Sequence, residues 1–411
     1  MLKLNRNQFR IYCLMFVLLF SANPFIGILG SASTIVALIL TIFLLRGRIR
    51  DYKALLSLYI PIFGFLIVIF LFQKVALGFV SWPGAMNFVA KIFVGGLIIF
   101  TFRDKFNVYF FKLIYWLSCI SLIGYVLINL LGIPFPGLET APTRYSYFFY
   151  GTSGIHIHQN QGMFWEPGAF AGIITLCLAL NFNNLKYYWL YQRFQLLVVI
   201  GALLTTFSTT GYLSFFVLLF FYILGTKQRN YAMLLLPVII STAVFVYQDT
   251  DFLKNKIETQ LNAAAGQEEG EYSNTRFGSL VFDWHYITKH PIIGNGLSEQ
   301  TRYADHPWLI ALAEKGENLG NGNGFSSFLA SMGCLFMLSY FILMYKALSF
   351  EGKYYAIVVS IIVLLNLQGE QWFNHLIYLG IPFINLLARK GLLNPDRHKV
   401  NKKLKYRMAA I

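Results

Sequence analysis

The chain has 411 residues, of which 57% are hydrophobic and only 12% are charged, and its formal net charge is +15. This composition excludes an ordinary water-soluble globular protein. Apolar runs of about 20 residues, the length that crosses a bilayer as a helix, recur along the chain. Because the runs are continuous rather than alternating, we expect an all-α polytopic membrane protein and not a barrel.

The hydropathy pattern predicts about 12 transmembrane helices, or 10 if two closely spaced pairs merge. The predicted spans cover residues 11–22, 25–45, 54–73, 86–102, 108–132, 164–181, 195–208, 210–225, 231–248, 324–346, 354–367 and 373–388. They divide the chain into four parts. These are an N-terminal helical region at 1–248, a large external loop at 249–323, C-terminal helices at 324–388 and a basic tail at 389–411.

Lysine and arginine accumulate in alternate loops and in the tail, whereas the short loops between them carry only Lys74 and Arg144. The positive-inside rule therefore predicts that both termini are cytoplasmic. The same distribution makes most of the net charge a feature of topology, so we expect no nucleic-acid partner. The cysteines fall within predicted spans and indicate neither a metal site nor a disulfide; they are Cys13, Cys119, Cys177 and Cys334.

Two predicted external segments are long. The first, at about 134–163, is rich in turns and then in aromatic residues, which favours either an interfacial belt or a platform for sugar rings. His156 and His158 in this segment are too few to form a metal site on their own. In the second segment, Asp249 and Asp251 fit either a polar helix end or a divalent-cation site.

The later part of the second segment predicts a helical subdomain. A helix begins among the capping residues at 273–275, and a tight Pro- and Gly-containing loop follows at 290–296. A short helix should run from Pro307 to Lys315. The subdomain carries several basic side chains, which are Arg276, Lys289, His290, Arg302 and His306.

Three ionisable residues lie in or at the outer ends of predicted spans, where such groups usually face a cavity or a partner. For Lys91 the alternative is snorkelling towards the interface. Glu166 precedes Pro167, so it also fits a simple N-terminal helix cap. Glu370 is the third of these ionisable residues.

Three elements together resemble the signatures of the O-antigen polymerase and O-antigen ligase superfamily. They are Gly162-Met-Phe-Trp-Glu-Pro-Gly-Ala-Phe-Ala171, then Thr275-Arg-Phe with His290-Pro-Ile-Ile-Gly-Asn-Gly296, and Asn323-Gly-Phe before a span containing Ser331-Met-Gly333. The order of the elements and the single large external loop also match. One departure is Gln159, where the superfamily often carries an arginine.

The resemblance implies a glycosyltransferase C-like membrane fold that needs neither metal nor cofactor. It implies a glycan donor linked to undecaprenyl diphosphate, presented at the outer face of a bacterial inner membrane. The implied partners are this lipid-linked oligosaccharide, membrane lipid, and a chain-length regulator and flippase of the same pathway.

The resemblance also suggests roles for individual residues. A diphosphate leaving group needs cationic contacts, and an acceptor hydroxyl needs a base. We predict catalytic roles for Glu166, Arg276 and His306, with His290 as a further candidate base. The predicted substrate-binding residues are Arg144, Lys91, His290, Arg302, Asn323 and Glu370.

The sequence favours a polysaccharide polymerase that joins lipid-linked repeat units. The alternative within the superfamily is a ligase that transfers the finished glycan to another acceptor. From other classes, the alternatives are a lipid-linked oligosaccharide flippase and a non-catalytic scaffold of an export complex.

Overall fold

The structure is a computed structural model of the protein. The predicted span at 231–248, the Asp249–Asp251 pair, His156 and the basic tail lie outside the residues that it describes. The described residues are 6–45, 52–133, 137–141, 144–147, 149–153, 158–225, 275–314 and 322–386.

Helices make up most of the described chain. In the N-terminal half they are α1 (Arg6–Val17), α2 (Pro24–Gly27), α3 (Ala32–Leu45), α4 (Tyr52–Leu77), α5 (Trp82–Phe102), α6 (Phe106–Gly124), α7 (Pro167–Leu180), α8 (Leu185–Tyr191), α9 (Arg193–Leu204) and α10 (Thr209–Leu224). In the C-terminal half they are α11 (Arg276–Lys289), α12 (Glu299–Arg302), α13 (Pro307–Glu314), α14 (Gly324–Leu348), α15 (Lys353–Gly369) and α16 (Leu376–Gly380).

The protein is a helical membrane protein, but the structure corrects the number of full-length spans. Among the described residues, three helical stretches are long and apolar enough to cross a bilayer: Tyr52–Leu77, Trp82–Leu130 and Gly324–Glu351. The second of these contains two predicted spans, which a 3-10 turn at Arg103–Lys105 separates. A fourth span results if Pro167–Leu180 and the helical segment after it, which are bent by 65°, count as one.

Several predicted spans are shorter than a bilayer core. Apolar helices of 10–17 residues lie at Ala32–Leu45, Arg193–Leu204, Thr209–Leu224 and Lys353–Gly369. At a rise of about 1.5 Å per residue, such helices extend roughly 15–26 Å, less than the hydrocarbon thickness of about 30 Å. The predicted span at 373–388 is not one helix, because α16 has only five residues and lies between 3-10 turns.

The first long loop contains strands, which the sequence did not predict. Strands β1 (Leu138–Ala141), β2 (Arg144–Ser146) and β3 (Gly151–Ser153) form a small antiparallel sheet in the order β1-β2-β3. The chain then returns into the core, where the buried Asn160 donates to Thr205 Oγ1 at 2.9 Å and accepts from the Gly162 N–H at 3.0 Å. These bonds hold the segment that leads into α7.

Helix α7 is the central element of the fold. Nearly all of its residues are buried, and α6, α9, α10 and α15 pack against it. Because neighbouring helices cover it on all sides, α7 contacts protein along almost its whole length. Its N-terminus is therefore fixed by the whole bundle, and the candidate site lies at this end.

The subdomain after residue 274 packs on a broken helix. Helix α14 is interrupted at Gly333, where the backbone has φ 76° and ψ 170°. The loop that follows α11 binds this break: Asn295 and Gly296 donate backbone N–H groups to Ala330 and Ser331, at 2.8 and 2.9 Å. The loop thereby satisfies carbonyl groups that the interruption removes from helical hydrogen bonding.

Candidate active site

Glu166 stands at the start of α7. Its backbone is extended (φ −147°, ψ 155°) and Pro167 occupies the first turn, as the sequence predicted. The Glu166 side chain, however, forms no capping hydrogen bond with the helix. A simple N-terminal cap, in which the carboxylate accepts from a backbone N–H of the first turn, is therefore not the role of this residue.

Glu370 approaches the same helix end from the loop that follows α15. Its side chain is only 8% exposed, and its Oε2 accepts a hydrogen bond from Trp165 Nε1 at 3.0 Å. A Cβ atom on Gly168 would come within 2.6 Å of Oε1 of Glu370. The glycine in the first turn of α7 thus leaves the space that the carboxyl group occupies.

Arg276 is the first residue of α11 and brings the cationic group. The cap before it is Thr275, whose Oγ1 accepts from the Gly278 N–H at 3.1 Å. Arg276 Nη1 donates to Thr210 Oγ1 at 2.9 Å, and Nη2 lies 3.9 Å from Glu370 Oε1. With a side-chain exposure of 21%, the guanidinium group is anchored on α10 and remains partly open to solvent.

The two carboxyl groups are close enough to influence each other. Burial raises the pKa of Glu370 well above its usual range, and the charge of Glu166 and a hydrogen bond to Glu166 raise it further. Arg276 and the indole N–H of Trp165 act in the opposite direction without cancelling the rise. Glu370 therefore retains its proton at a pH where an ordinary glutamic acid has lost it.

An aromatic group connects the carboxyl pair to Lys91. The indole of Trp165 stacks on the His375 ring, with centroids 4.7 Å apart and an interplanar angle of 16°. His375 is buried, and its Nδ1 lies 3.2 Å from Ser21 Oγ. Lys91 lies near enough for its charge to act on the His375 ring. Two carboxyl groups and a guanidinium are thus gathered around the N-terminus of α7, and the charge of Lys91 reaches the His375 ring that stacks on Trp165.

Asn323 connects the start of α14 to the end of α15, next to Glu370. Its Oδ1 accepts from the Ser326 N–H at 3.0 Å, which caps α14, and its Nδ2 donates to Gln368 Oε1 at 2.8 Å. Next to it, a Cβ atom on Gly324 would come within 2.0 Å of the backbone oxygen of Glu370. The start of α14 therefore presses directly on the backbone that carries Glu370.

Arg302, His306 and His290 lie within the α11–α13 subdomain. Arg302 is buried, forms an ion pair with Asp283, and places its guanidinium 4.7 Å from the centroid of the Tyr286 ring. His306 Nδ1 hydrogen bonds to the Tyr286 hydroxyl. His290 ends α11, and its backbone oxygen accepts from the Gly294 N–H at 2.8 Å. The side chains of Arg302 and His306 thus hold the subdomain together, whereas the contact of His290 is made by its backbone.

Arg144 belongs to strand β2, where its Cα pairs with that of Ser153 in the neighbouring strand. Within the described part of the chain, no three His, Cys, Asp or Glu side chains come together in a way that could hold a metal ion.

The structure adds residues that the sequence did not single out. Trp165 lies inside the first signature, directly before Glu166, yet nothing in the local pattern indicates a bond to a residue 205 positions away. Thr210 and His375 carry no sequence signal beyond their polarity within apolar surroundings. Trp165 and Thr210 contact the predicted residues Glu370 and Arg276, and His375 stacks on Trp165.

In comparisons with known proteins, neither a family model nor a curated protein sequence matches this chain.

Proposed function

We propose that the protein is a membrane glycosyltransferase of the O-antigen polymerase and ligase superfamily, and that it polymerises lipid-linked repeat units. The observation that carries this proposal is the meeting of Glu166 and Glu370 with Arg276, which comes from a distant part of the chain. Glycosyl transfer from a diphosphate needs such a combination of a base and a cation.

The reaction that fits these groups is a direct displacement. The acceptor hydroxyl gives its proton to the Glu166 carboxylate, and its oxygen attacks the anomeric carbon of the donor. A new C–O bond forms on one face as the bond to the diphosphate breaks on the other, so that the configuration inverts. The diphosphate leaves with the bonding electron pair.

Arg276 suits the leaving diphosphate. A guanidinium presents planar paired donors to phosphate oxygens, and in this site it is anchored through Thr210 while one side stays open. In this proposal Lys91, whose charge reaches His375, adds a second positive charge. In this proposal these cations, and not a metal ion, stabilise the leaving group.

The topology belongs to the same proposal. A glycosyltransferase C-like fold with cytoplasmic termini in a bacterial inner membrane would place the start of α7 at the outer face. A cysteine introduced at position 268 should then react with an impermeant label added from outside, and protection in intact spheroplasts would exclude this orientation.

A complementation experiment tests the function. Glu166→Gln and Arg276→Ala are expressed in a deletion strain at wild-type levels, and the length distribution of the surface glycan is measured. We expect both variants to lose long-chain glycan. Long chains made by both variants would overturn the catalytic assignment.

The phenotype of the deletion separates polymerase from ligase. Loss of a polymerase leaves single repeat units on the final acceptor. Loss of a ligase leaves complete chains on the lipid carrier. Accumulation of complete carrier-linked chains would therefore replace the polymerase proposal by the ligase.

A further inference from the structure

The two oxygens of Glu370 have different surroundings. Oε2 accepts from Trp165 Nε1 at 3.0 Å. Oε1 is buried and, among the described residues, receives no hydrogen bond. Its cationic neighbour, Arg276 Nη2, is 3.9 Å away, beyond hydrogen-bond distance. A buried carboxylate oxygen without a donor is unfavourable, so this atom requires an explanation.

A proton on Oε1 supplies that explanation. An ionised carboxylate only accepts hydrogen bonds, whereas a protonated carboxyl also donates one. Glu166 lies within hydrogen-bonding reach of Glu370 and does not use its carboxylate to cap α7. Two carboxyl groups that share a site avoid repulsion when only one of them is ionised.

We propose that Glu166 and Glu370 share one proton, that this proton resides on Oε1 of Glu370, and that Trp165 fixes it there by occupying Oε2. Trp165 is then a positioning residue, and Glu166 is the ionised member of the pair. The consequence that Glu166 accepts the proton of the acceptor hydroxyl rests on the proposed function.

The groups that face Glu370 act on its protonation in both directions. Burial and the charge of Glu166, at the start of α7, favour the protonated form of Glu370. Arg276 from α11 and the indole N–H of Trp165 favour the ionised form. Among the described residues, Tyr378 of α16 is a further titratable group that interacts with Glu370. His375 stacks against Trp165, and the charge of Lys91 acts on the His375 ring.

The ring of Trp165 is held in place independently of its hydrogen bond. It stacks on His375 at 4.7 Å and packs against Trp372 at 5.2 Å with an interplanar angle of 55°. Trp165→Phe therefore retains aromatic packing while it removes the N–H donor. Trp372→Phe is a matched control, because the Trp372 indole is buried and its Nε1 has no hydrogen-bond partner among the described residues.

The proton can be observed without any substrate. The full-length protein is reconstituted in lipid, and infrared difference spectra are recorded through a pH titration. We expect a carbonyl stretch from a protonated carboxyl at neutral pH that is absent in Glu370→Gln. Loss of the donor to Oε2 disfavours the ionised form, so Trp165→Phe should move the titration of this band upwards by about one pH unit.

Trp372→Phe should leave the titration where it is in the wild type, and Trp165→His, which restores a ring N–H, should return it towards that position. Absence of the band in the wild type at neutral pH would overturn the shared proton. A titration unaffected by Trp165→Phe would overturn the role of Trp165. Because these measurements involve no glycan, either failure is distinct from a failure of the proposed glycosyl transfer.

Discussion

Gly294 and Gly333 lie so close together that neither position has room for a side chain. A Cβ atom on Gly333 would come within 2.6 Å of the backbone nitrogen of Gly294, and the reverse distance is also 2.6 Å. Both residues have positive φ, 72° and 76°. The contact joins the loop after α11 to the interruption in α14. It therefore fixes the helix that carries Arg276 relative to the membrane bundle.

Gly333→Ala should destabilise the protein strongly, since a Cβ atom would also come within 2.2 Å of the Ile292 carbonyl oxygen. We expect a loss of more than about 3 kcal/mol, which combines steric overlap with an unfavourable backbone conformation. Gly78→Ala is the matched control, because Gly78 has φ 73° and nothing lies within 4 Å of its Cβ position. It should cost only about 1–2 kcal/mol. Thermal unfolding in detergent measures the stability of both variants. Equal losses of stability would contradict a close contact between Gly294 and Gly333.

Gly168→Ala should impair activity much more than stability. The added methyl group meets the Glu370 carboxyl at 2.6 Å, and a side-chain end can move where backbone cannot. We expect Glu370 to lose its place beside Glu166, with glycan synthesis falling at least about tenfold and stability changing by roughly 1 kcal/mol. Gly64→Ala, with nothing within 4 Å, controls for adding a methyl group to a membrane helix. Normal synthesis by the Gly168 variant would show that the position of Glu370 is unimportant.

Arg302→Met should act through folding. Arg302 and Asp283 form a buried ion pair, and removal of one partner leaves the other charge uncompensated. The expected loss is about 3–5 kcal/mol. The double variant Arg302→Met with Asp283→Asn should recover part of it. A single variant that is fully stable and yet inactive would instead support Arg302 as a direct substrate contact, as the sequence suggested.

Glu370→Gln should increase stability at alkaline pH. The pKa of Glu370 is raised in the folded protein, so its contribution to stability is complete below the unfolded pKa and is lost as the pH rises through the folded value. Glutamine does not ionise and escapes this loss. The melting temperature of the variant, relative to that of the wild type, should therefore be higher at pH 9 than at pH 5. Glu299→Gln changes an exposed residue of α12 and should show no such dependence on pH. If both variants showed the same dependence, ionisation of Glu370 would not be its cause.

Local sequence patterns predicted several elements correctly. The helix that begins after Thr275, the short helix that begins at Pro307 and the helical start at Pro167 lie where capping residues and proline indicated. These features depend on neighbours within a few residues, which the sequence displays directly. The predicted number of full-length spans was too high for the described residues, because apolar runs do not reveal where short helices and turns divide them.

The composition and the long, continuous apolar runs determined that the chain is helical and embedded in a membrane, because lipid offers no hydrogen-bond partners to the polar backbone and a helix satisfies these groups internally. Sequence also selected Glu166, Arg276 and Glu370. Only the tertiary structure decided their partners: Trp165 binds Glu370 across 205 positions, and Arg276 reaches Thr210 across 66. It likewise separated Arg276, which stays partly exposed, from Arg302, which is buried against Asp283. Such choices depend on how the helices pack, and no local periodicity encodes which distant side chains then meet.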